Sequence, residues 1–341
     1  MAKEASFYSK EPHQSVRCFL CAHRCSIKNE STGICGVRKN QEGILYALNY
    51  GQVVAAHIDP IEKKPLFHFF PGTTSYSLAC VGCNFKCSFC QNWQISQTAF
   101  SRAVGVDGFG VTPDKIVQEA KLHNCPSISY TYTEPTIYFE FAYDCAKQAK
   151  ENGLYNVFVT NGYMSKEALV SISPYLDAAN VDLKSFRQDF YHTFCKASLQ
   201  PVLESIALMH SLNIWLEITT LIIPGANDSE DQLRDIARFL CSIDASIPWH
   251  LSAFHPDYKL TDVCSTPAKT LEKAYGIGKD EGLKYVYMGN IYTPRGENTY
   301  CPSCKQLLIE REGFLVKQQK IKEGTCPYCG IRIEGLGPPF R

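Results

Sequence analysis

The run Cys83-Asn84-Phe85-Lys86-Cys87-Ser88-Phe89-Cys90 carries three thiols in the spacing C-x3-C-x2-C, with an aromatic residue immediately before the third. A short loop of this kind can wrap one corner of a cubane iron–sulfur cluster, ligating three irons and leaving the fourth without a protein ligand. An iron left open admits a substrate. The alternative is a zinc knuckle: Cys80 lies just upstream, and Cys80, Cys83, Cys87 and Cys90 together would close a four-thiol site.

Downstream of the loop the pattern is strand then helix, repeated. Strand-like runs begin near Ser77, Ser127, Asn156, Ala178, Ile214, Trp249 and Lys284. Helix-start signals fall between them at Thr112-Pro113, Ser165, Ser229 and Thr266-Pro267, each followed by apolar residues at helical spacing. Such alternation gives an α/β fold with a parallel sheet and right-handed crossovers, and six or seven units bend into a full or partial barrel with its chemistry at the C-terminal strand ends. In Asn180-Val181-Asp182-Leu183-Lys184 the apolar pair faces one way and three polar residues the other. Glu217 with Thr219, and His250 with Ser252, repeat the point. Burying such a face unpaired costs about 2–7 kcal/mol per group, so either a polar ligand fills the interior or these groups satisfy one another.

The chain has 17 cysteines, and most fall into sets. Cys18, Cys21, Cys25 and Cys35, with Gly33, Gly36 and Arg38 nearby, suit structural zinc or an auxiliary iron–sulfur cluster. Cys301-Pro302-x-Cys304 and Cys326-Pro327-x-Cys329 are paired knuckles that predict a zinc ribbon, with rubredoxin-like iron as the rival and residues 306–322 as the small sheet. Cys80, Cys125, Cys145, Cys195, Cys241 and Cys264 stand singly and are expected to be buried small hydrophobes. Residues 44–57 look like a hairpin around Asn49-Tyr50-Gly51, and the charged stretch from His57 to His68 like a solvated loop that in a secondary reading faces the active site. The expected division is an N-terminal Cys-rich segment with hairpin (1–74), a barrel (75–290) and a C-terminal module (291–341), with a linker over 289–299 that contains Pro294.

A length of 341 residues accommodates one barrel with small appendages, and 45% hydrophobic with 20% charged residues is ordinary globular composition. Lys+Arg and Asp+Glu balance at 34 each, which argues against nucleic acid or a membrane surface as the main partner. No signal-like apolar core follows the N-terminus and no run of eighteen apolar residues occurs, so the expected location is the cytoplasm. Cysteine sets in such a chain point to metal rather than to disulfides.

On these residues the chain resembles radical S-adenosylmethionine (SAM) proteins of the pyruvate formate-lyase activating enzyme type, and more closely the AmmeMemoRadiSam-system radical SAM enzymes. The resemblance takes in the N-terminal four cysteines, Asp59-Pro60-Ile61-Glu62-Lys63-Lys64-Pro65-Leu66, the loop through Cys90-Gln91-Asn92-Trp93 and the C-terminal knuckles. It implies a partial (β/α)6 barrel, one [4Fe-4S] cluster on Cys83, Cys87 and Cys90, and SAM chelating the open iron. Reductive cleavage of SAM then gives a 5′-deoxyadenosyl radical that abstracts hydrogen from a small molecule or from a partner protein. It further implies Phe89 beside adenine, Glu134 on the methionyl amine, Lys184 on the carboxylate, Asp182 on the amine or sulfonium side, and Asn161 and His255 as ribose or carboxylate contacts. The family's Gly-Gly-Glu-like motif here reads Thr131-Tyr132-Thr133-Glu134, keeping the carboxylate and losing the glycines. An external flavodoxin or ferredoxin is expected as electron donor, since no Gly-x-Gly-x-x-Gly opens a helix after a strand. The two companion proteins of the system are further candidate partners. A non-enzymatic reading, a metal-binding adaptor or electron carrier, predicts zinc or fully protein-ligated clusters and no SAM binding.

Overall fold

The structure is a computed structural model describing residues 2–97, 109–293 and 295–340; Pro294 of the expected linker lies outside them. Nine strands form the main sheet: β1 (Gln52–Pro60), β2 (Thr74–Cys80), β3 (Phe109–Gly110), β4 (Ser127–Tyr130), β5 (Tyr155–Thr160), β6 (Ala178–Asp182), β7 (Trp215–Ile222), β8 (Trp249–Ala253) and β9 (Val286–Gly289). Their order is β9-β8-β7-β6-β5-β4-β2-β1-β3. From β2 to β9 every neighbour is parallel, with Tyr130 opposite both Leu78 and Phe158; only β1 and β3 are antiparallel additions at the β2 edge.

Helices α1 (Pro113–Leu122), α2 (Phe139–Glu151), α3 (Lys166–Ile172), α4 (Gln200–Ser211), α5 (Glu230–Asp244) and α6 (Ala268–Asp280) make the crossovers. Each buries an apolar stripe at i, i+3, i+4 spacing, for example Leu233, Ile236, Ala237 and Leu240 of α5. Thr112 and Ser165 cap their helices by accepting from Lys115 N and Ala168 N. Ser229 makes no cap bond, and the Thr266 hydroxyl instead ties Ile222 O to Phe254 N. Among the described residues the edge strands β9 and β3 are not paired with each other, so the sheet stays open.

The expected hairpin over 44–57 does not form. Ile44–Ala47 pairs with Arg38–Gln41 and Lys3–Glu4, whereas β1 pairs with β2. The chain changes sheets at Asn49-Tyr50-Gly51, where the Asn49 side chain donates to Val81 O and Gly51 lies so close to Val111 that a Cβ would meet its carbonyl oxygen at 2.7 Å. The stretch after β1 is likewise not a solvated loop: Asp59, Glu62, Lys64 and His68 are all buried, because each charge finds a partner. Lys63 and Lys64 reach Asp59 at 2.8 and 2.5 Å, and Glu62 meets Arg311 at 3.5 Å.

Val16–Cys18 is flanked by Tyr8–Lys10 and Ser26–Ile27 in a small N-terminal sheet. A C-terminal sheet of Thr299–Tyr300, Leu307–Glu312 and Leu315–Gln319 shares a core with the barrel through Phe67, Tyr285 and Tyr287. Cys80, Cys125, Cys145 and Cys195 are buried as expected; Cys241 is only partly buried and Cys264 is exposed. Among the described residues no helix is long and apolar enough to cross a membrane.

Candidate active site

The loop after β2 is irregular and is held by its ends and its aromatics. Gly82 N donates to Ile95 O, and Lys86 N and Ser88 N donate to Cys195 O and Phe194 O, each at 2.9 Å. Phe85 is buried against Tyr163 and Tyr191, and Phe89 against Phe190 and Phe194. Burying two aromatics spends the chain between the thiols on anchoring, so the sulfurs are left to face the barrel mouth. Gly82 has φ +104°, and a Cβ there would sit 2.9 Å from Val37 Cγ1, so the N-terminal segment packs directly under the loop.

Cys83, Cys87 and Cys90 line a cavity of about 850 Å³ at the C-terminal ends of the parallel strands. Phe89, Glu134, Asn161, Asp182 and Lys184 line the same cavity. His255 is not among its lining residues; it is exposed and hydrogen-bonds the Gln91 side chain at 3.0 Å. Cys80 also lies outside the lining, fully buried in β2, and burial alone pushes its thiol well up. Burial likewise pushes up the Cys83 and Cys90 thiols.

Glu134, 2% exposed, accepts from Asn161 N at 2.8 Å, Thr136 N at 3.0 Å, Thr136 Oγ1 at 2.6 Å and Thr160 Oγ1 at 2.7 Å. Burial raises its pKa against these donors, all neutral, and it has no ion-pair partner among the described residues. In the same lining Lys184 Nζ donates to Asp182 at 2.9 Å, and although burial disfavours the ammonium, Asp182 with the neighbouring Cys87 and Cys195 outweighs it and raises its pKa. Asn161 Nδ2 donates to Asn84 Oδ1 at 2.7 Å, tying the β5 end to the loop. Thr219 Oγ1, also in the lining, is buried with no partner among the described residues. A buried carboxylate without an ion pair, a half-buried ammonium and an orphan hydroxyl lining one cavity suit a zwitterionic amino-acid ligand.

The polar strand faces divide by depth. Asn180 donates to Pro65 O, and Glu217 accepts from Phe67 N, His68 N, Trp215 Nε1 and His250 Nε2, so the segment after β1 fills the barrel bottom. Asp182, Lys184, Thr219, His250 and Ser252 remain to line the cavity. The departure from a glycine-rich motif is accommodated at Tyr132. Its φ is +61°, the left-handed conformation a glycine adopts freely, and its hydroxyl donates to Asp59 while Lys64 Nζ lies 4.5 Å from its ring centroid. Glu62, Lys63 and Lys64 line the cavity, in keeping with the secondary reading of the His57–His68 stretch. Tyr132 and Asn84 are not expected as site residues, because the sequence offers no signal for them beyond adjacency to Glu134 and Cys83.

The two outer thiol sets differ in geometry. Cys301, Cys304, Cys326 and Cys329 bring their sulfurs within 4.8 Å of one another, with 3.6 Å between Cys301 and Cys329 and 3.7 Å between Cys304 and Cys326. Tetrahedral zinc with bonds of about 2.3 Å requires sulfurs about 3.8 Å apart, so this set fits a single ion. Among the described residues no other group of three or more such ligand atoms closes that far.

A model of the radical SAM superfamily matches residues 78–240. A protein of Methanocaldococcus jannaschii described as uncharacterized is 49% identical over 335 residues, covering 97% of this chain and 99% of its own. The pyruvate formate-lyase 1-activating enzyme of Escherichia coli is 22% identical over 221 residues, 60% of this chain and 89% of that enzyme. Among solved structures, a radical SAM methyltransferase from Sphaerobacter thermophilus superposes with a TM-score of 0.50 at 15% identity, covering 70% of this chain and 71% of that one, a likeness of fold alone.

Proposed function

The chain belongs to the radical SAM superfamily, of the activating-enzyme type, and on that premise we propose that its enzymatic site is the cavity at the strand ends, with Cys83, Cys87 and Cys90 ligating a [4Fe-4S] cluster and SAM bound across from them. What carries the reading is the convergence of three loop thiols, an unpaired buried carboxylate and a paired lysine on one cavity. Held by Cys83, Cys87 and Cys90 with Glu134 and Lys184 facing SAM, the cluster and SAM would supply one-electron reductive chemistry that generates a hydrogen-abstracting radical, the electron coming from an external donor.

The protein's part is placement. Glu134 pairs with the methionyl amine, and the incoming cation relieves the penalty that burial imposes on its charge. Lys184, kept charged by Asp182, takes the methionyl carboxylate. Asn161 orients the nucleoside side of the ligand while bracing Asn84 and hence the loop. Phe89 seals the adenine side, where excluding water protects the radical. With Cys80 buried away from the lining, the fourth iron is left to SAM.

The substrate we propose is a partner protein. Among the described residues the sheet does not close, β9 and β3 being its separate edge strands, and Tyr292, 90% exposed, and Phe314 stand at the cavity rim. Electrons come from an external low-potential flavodoxin or ferredoxin, and the C-terminal four cysteines hold zinc as a ribbon. The test is anaerobic incubation of the cluster-loaded enzyme with SAM and a low-potential reductant. Reductant-dependent 5′-deoxyadenosine supports the reading; a loaded, reducible cluster that forms none contradicts it.

A further inference from the structure

We propose that Cys18, Cys21, Cys25 and Cys35 bind a second [4Fe-4S] cluster, seated directly behind the loop that carries Cys83. The inference stands apart from the SAM reading, because iron held by these four thiols can be counted whether or not the loop site responds to SAM.

Spacing separates a cluster from a single ion. The C-terminal thiols close to the distances that zinc requires, whereas the N-terminal four do not form a group within 4.8 Å. Instead Cys18, Cys21, Cys25 and Cys35 all line one small cavity. Thiolates on one ion leave no such void. Thiolates each taking a different iron of a cubane stand further apart, with the cluster between. Gly33 borders the thiols: a Cβ there would be in van der Waals contact with Cys25 Sγ at 3.8 Å and Cys35 Sγ at 3.9 Å.

Charge separates an occupied site from four idle thiols. Arg38 lines the same cavity and is 1% exposed. One guanidinium nitrogen, Nη2, reaches Glu140 at 2.5 Å, but Nε and Nη1 have no partner among the described residues. Orphaned buried donors cost about 1–3 kcal/mol each, and more when charged, so a cation this deep points to an anionic acceptor in the cavity. A tetrathiolate cluster supplies both the negative charge and the sulfur acceptors. Asn84 lines this cavity too, with its Nδ2 unpartnered. Its carbonyl oxygen meets His23 Nε2 at 2.9 Å, and its Oδ1 accepts from Asn161, which lines the cavity at the strand ends. The two sites are therefore joined through one residue of the loop.

The experiment uses the full chain, reconstituted anaerobically with iron and sulfide, beside a variant carrying Cys83→Ala, Cys87→Ala and Cys90→Ala. The variant is expected to retain about four irons and four sulfides per chain, with a Mössbauer signature of a cubane that ignores SAM. Replacing Cys18, Cys21, Cys25 and Cys35 by serine is expected to remove that half of the iron and leave the rest. Loss of all iron from the loop variant, with zinc at the N-terminal set, overturns the proposal. Should the loop variant fail to fold, Mössbauer spectra of the unaltered protein decide. Two equal cubane populations support the second cluster, and a single population of about four irons overturns it. Four irons surviving in the loop variant while the unaltered protein ignores SAM would leave this site standing and remove the SAM reading.

Discussion

Glu134→Gln isolates the charge at the SAM site from its shape. In the native structure Oε1 accepts from Thr136 N, Thr136 Oγ1 and Thr160 Oγ1, and Oε2 from Asn161 N at 2.8 Å. A glutamine keeps the Oε1 contacts and sets an NH2 against Asn161 N, an unmade buried bond costing about 1–3 kcal/mol. Against that stands relief from burying a carboxylate whose pKa burial raises, so folding stability changes little. Ligand binding has no such compensation. A hydrogen bond to a charged group contributes about 1.5–3 kcal/mol, so SAM affinity is expected to fall roughly 10- to 150-fold. Anaerobic equilibrium dialysis of SAM with the cluster-loaded variant, beside its thermal melt, reads both quantities. An unchanged SAM affinity at an unchanged melting temperature would refute the pairing of Glu134 with the methionyl amine.

Asp59 is buried, and burial alone would raise its pKa, but hydrogen bonds from Lys63, Lys64 and Tyr132 outweigh that and hold the carboxyl well below its ordinary range. A depressed carboxyl stabilises above its unfolded pKa of about 3.9 and loses that contribution as pH falls further, so denaturant melts should show stability dropping below about pH 4. Asp59→Asn leaves Lys64, 2% exposed, unpaired and should cost about 3–5 kcal/mol at neutral pH and flatten the acid limb, both measured in the same melts. Gly82→Ala combines φ +104° with a Cβ 2.9 Å from Val37 Cγ1; a loss of more than about 1 kcal/mol in urea melts is expected, with weaker iron retention by the loop. Chelating the C-terminal metal should raise hydrogen exchange over 299–333 and spare β4 to β7; metal analysis checks for about one zinc lost per chain.

Much of the parallel sheet was legible because parallel strands buried on both faces announce themselves as apolar runs. Ser127, Ala178 and Trp249 begin strands where those runs predicted. That Cys83, Cys87 and Cys90 share one cavity follows from their local spacing, and that Asp182 and Lys184 join them from period two, which sets both on one face. What was not legible depends on distant partners. Glu62 is buried by Arg311, and Asp59 and Lys64 by each other together with Tyr132; a lone charged stretch looks solvated until those partners are known. The 44–57 hairpin failed for the same reason, since each run found a better partner across the fold than its neighbour in sequence. The choice between ion and cluster at the outer thiols was closed to spacing in sequence, because it turns on distances between sulfurs.

The proposed mechanism requires the loop cluster to keep one iron free of protein ligands. Electron paramagnetic resonance of the reduced cluster, recorded on the variant lacking the N-terminal cysteines so that one cluster is observed, with and without SAM, tests it most directly. SAM is expected to change the spectrum, and Cys80→Ala to leave that change intact. A spectrum indifferent to SAM, which becomes responsive only when Cys80 is removed, would contradict it.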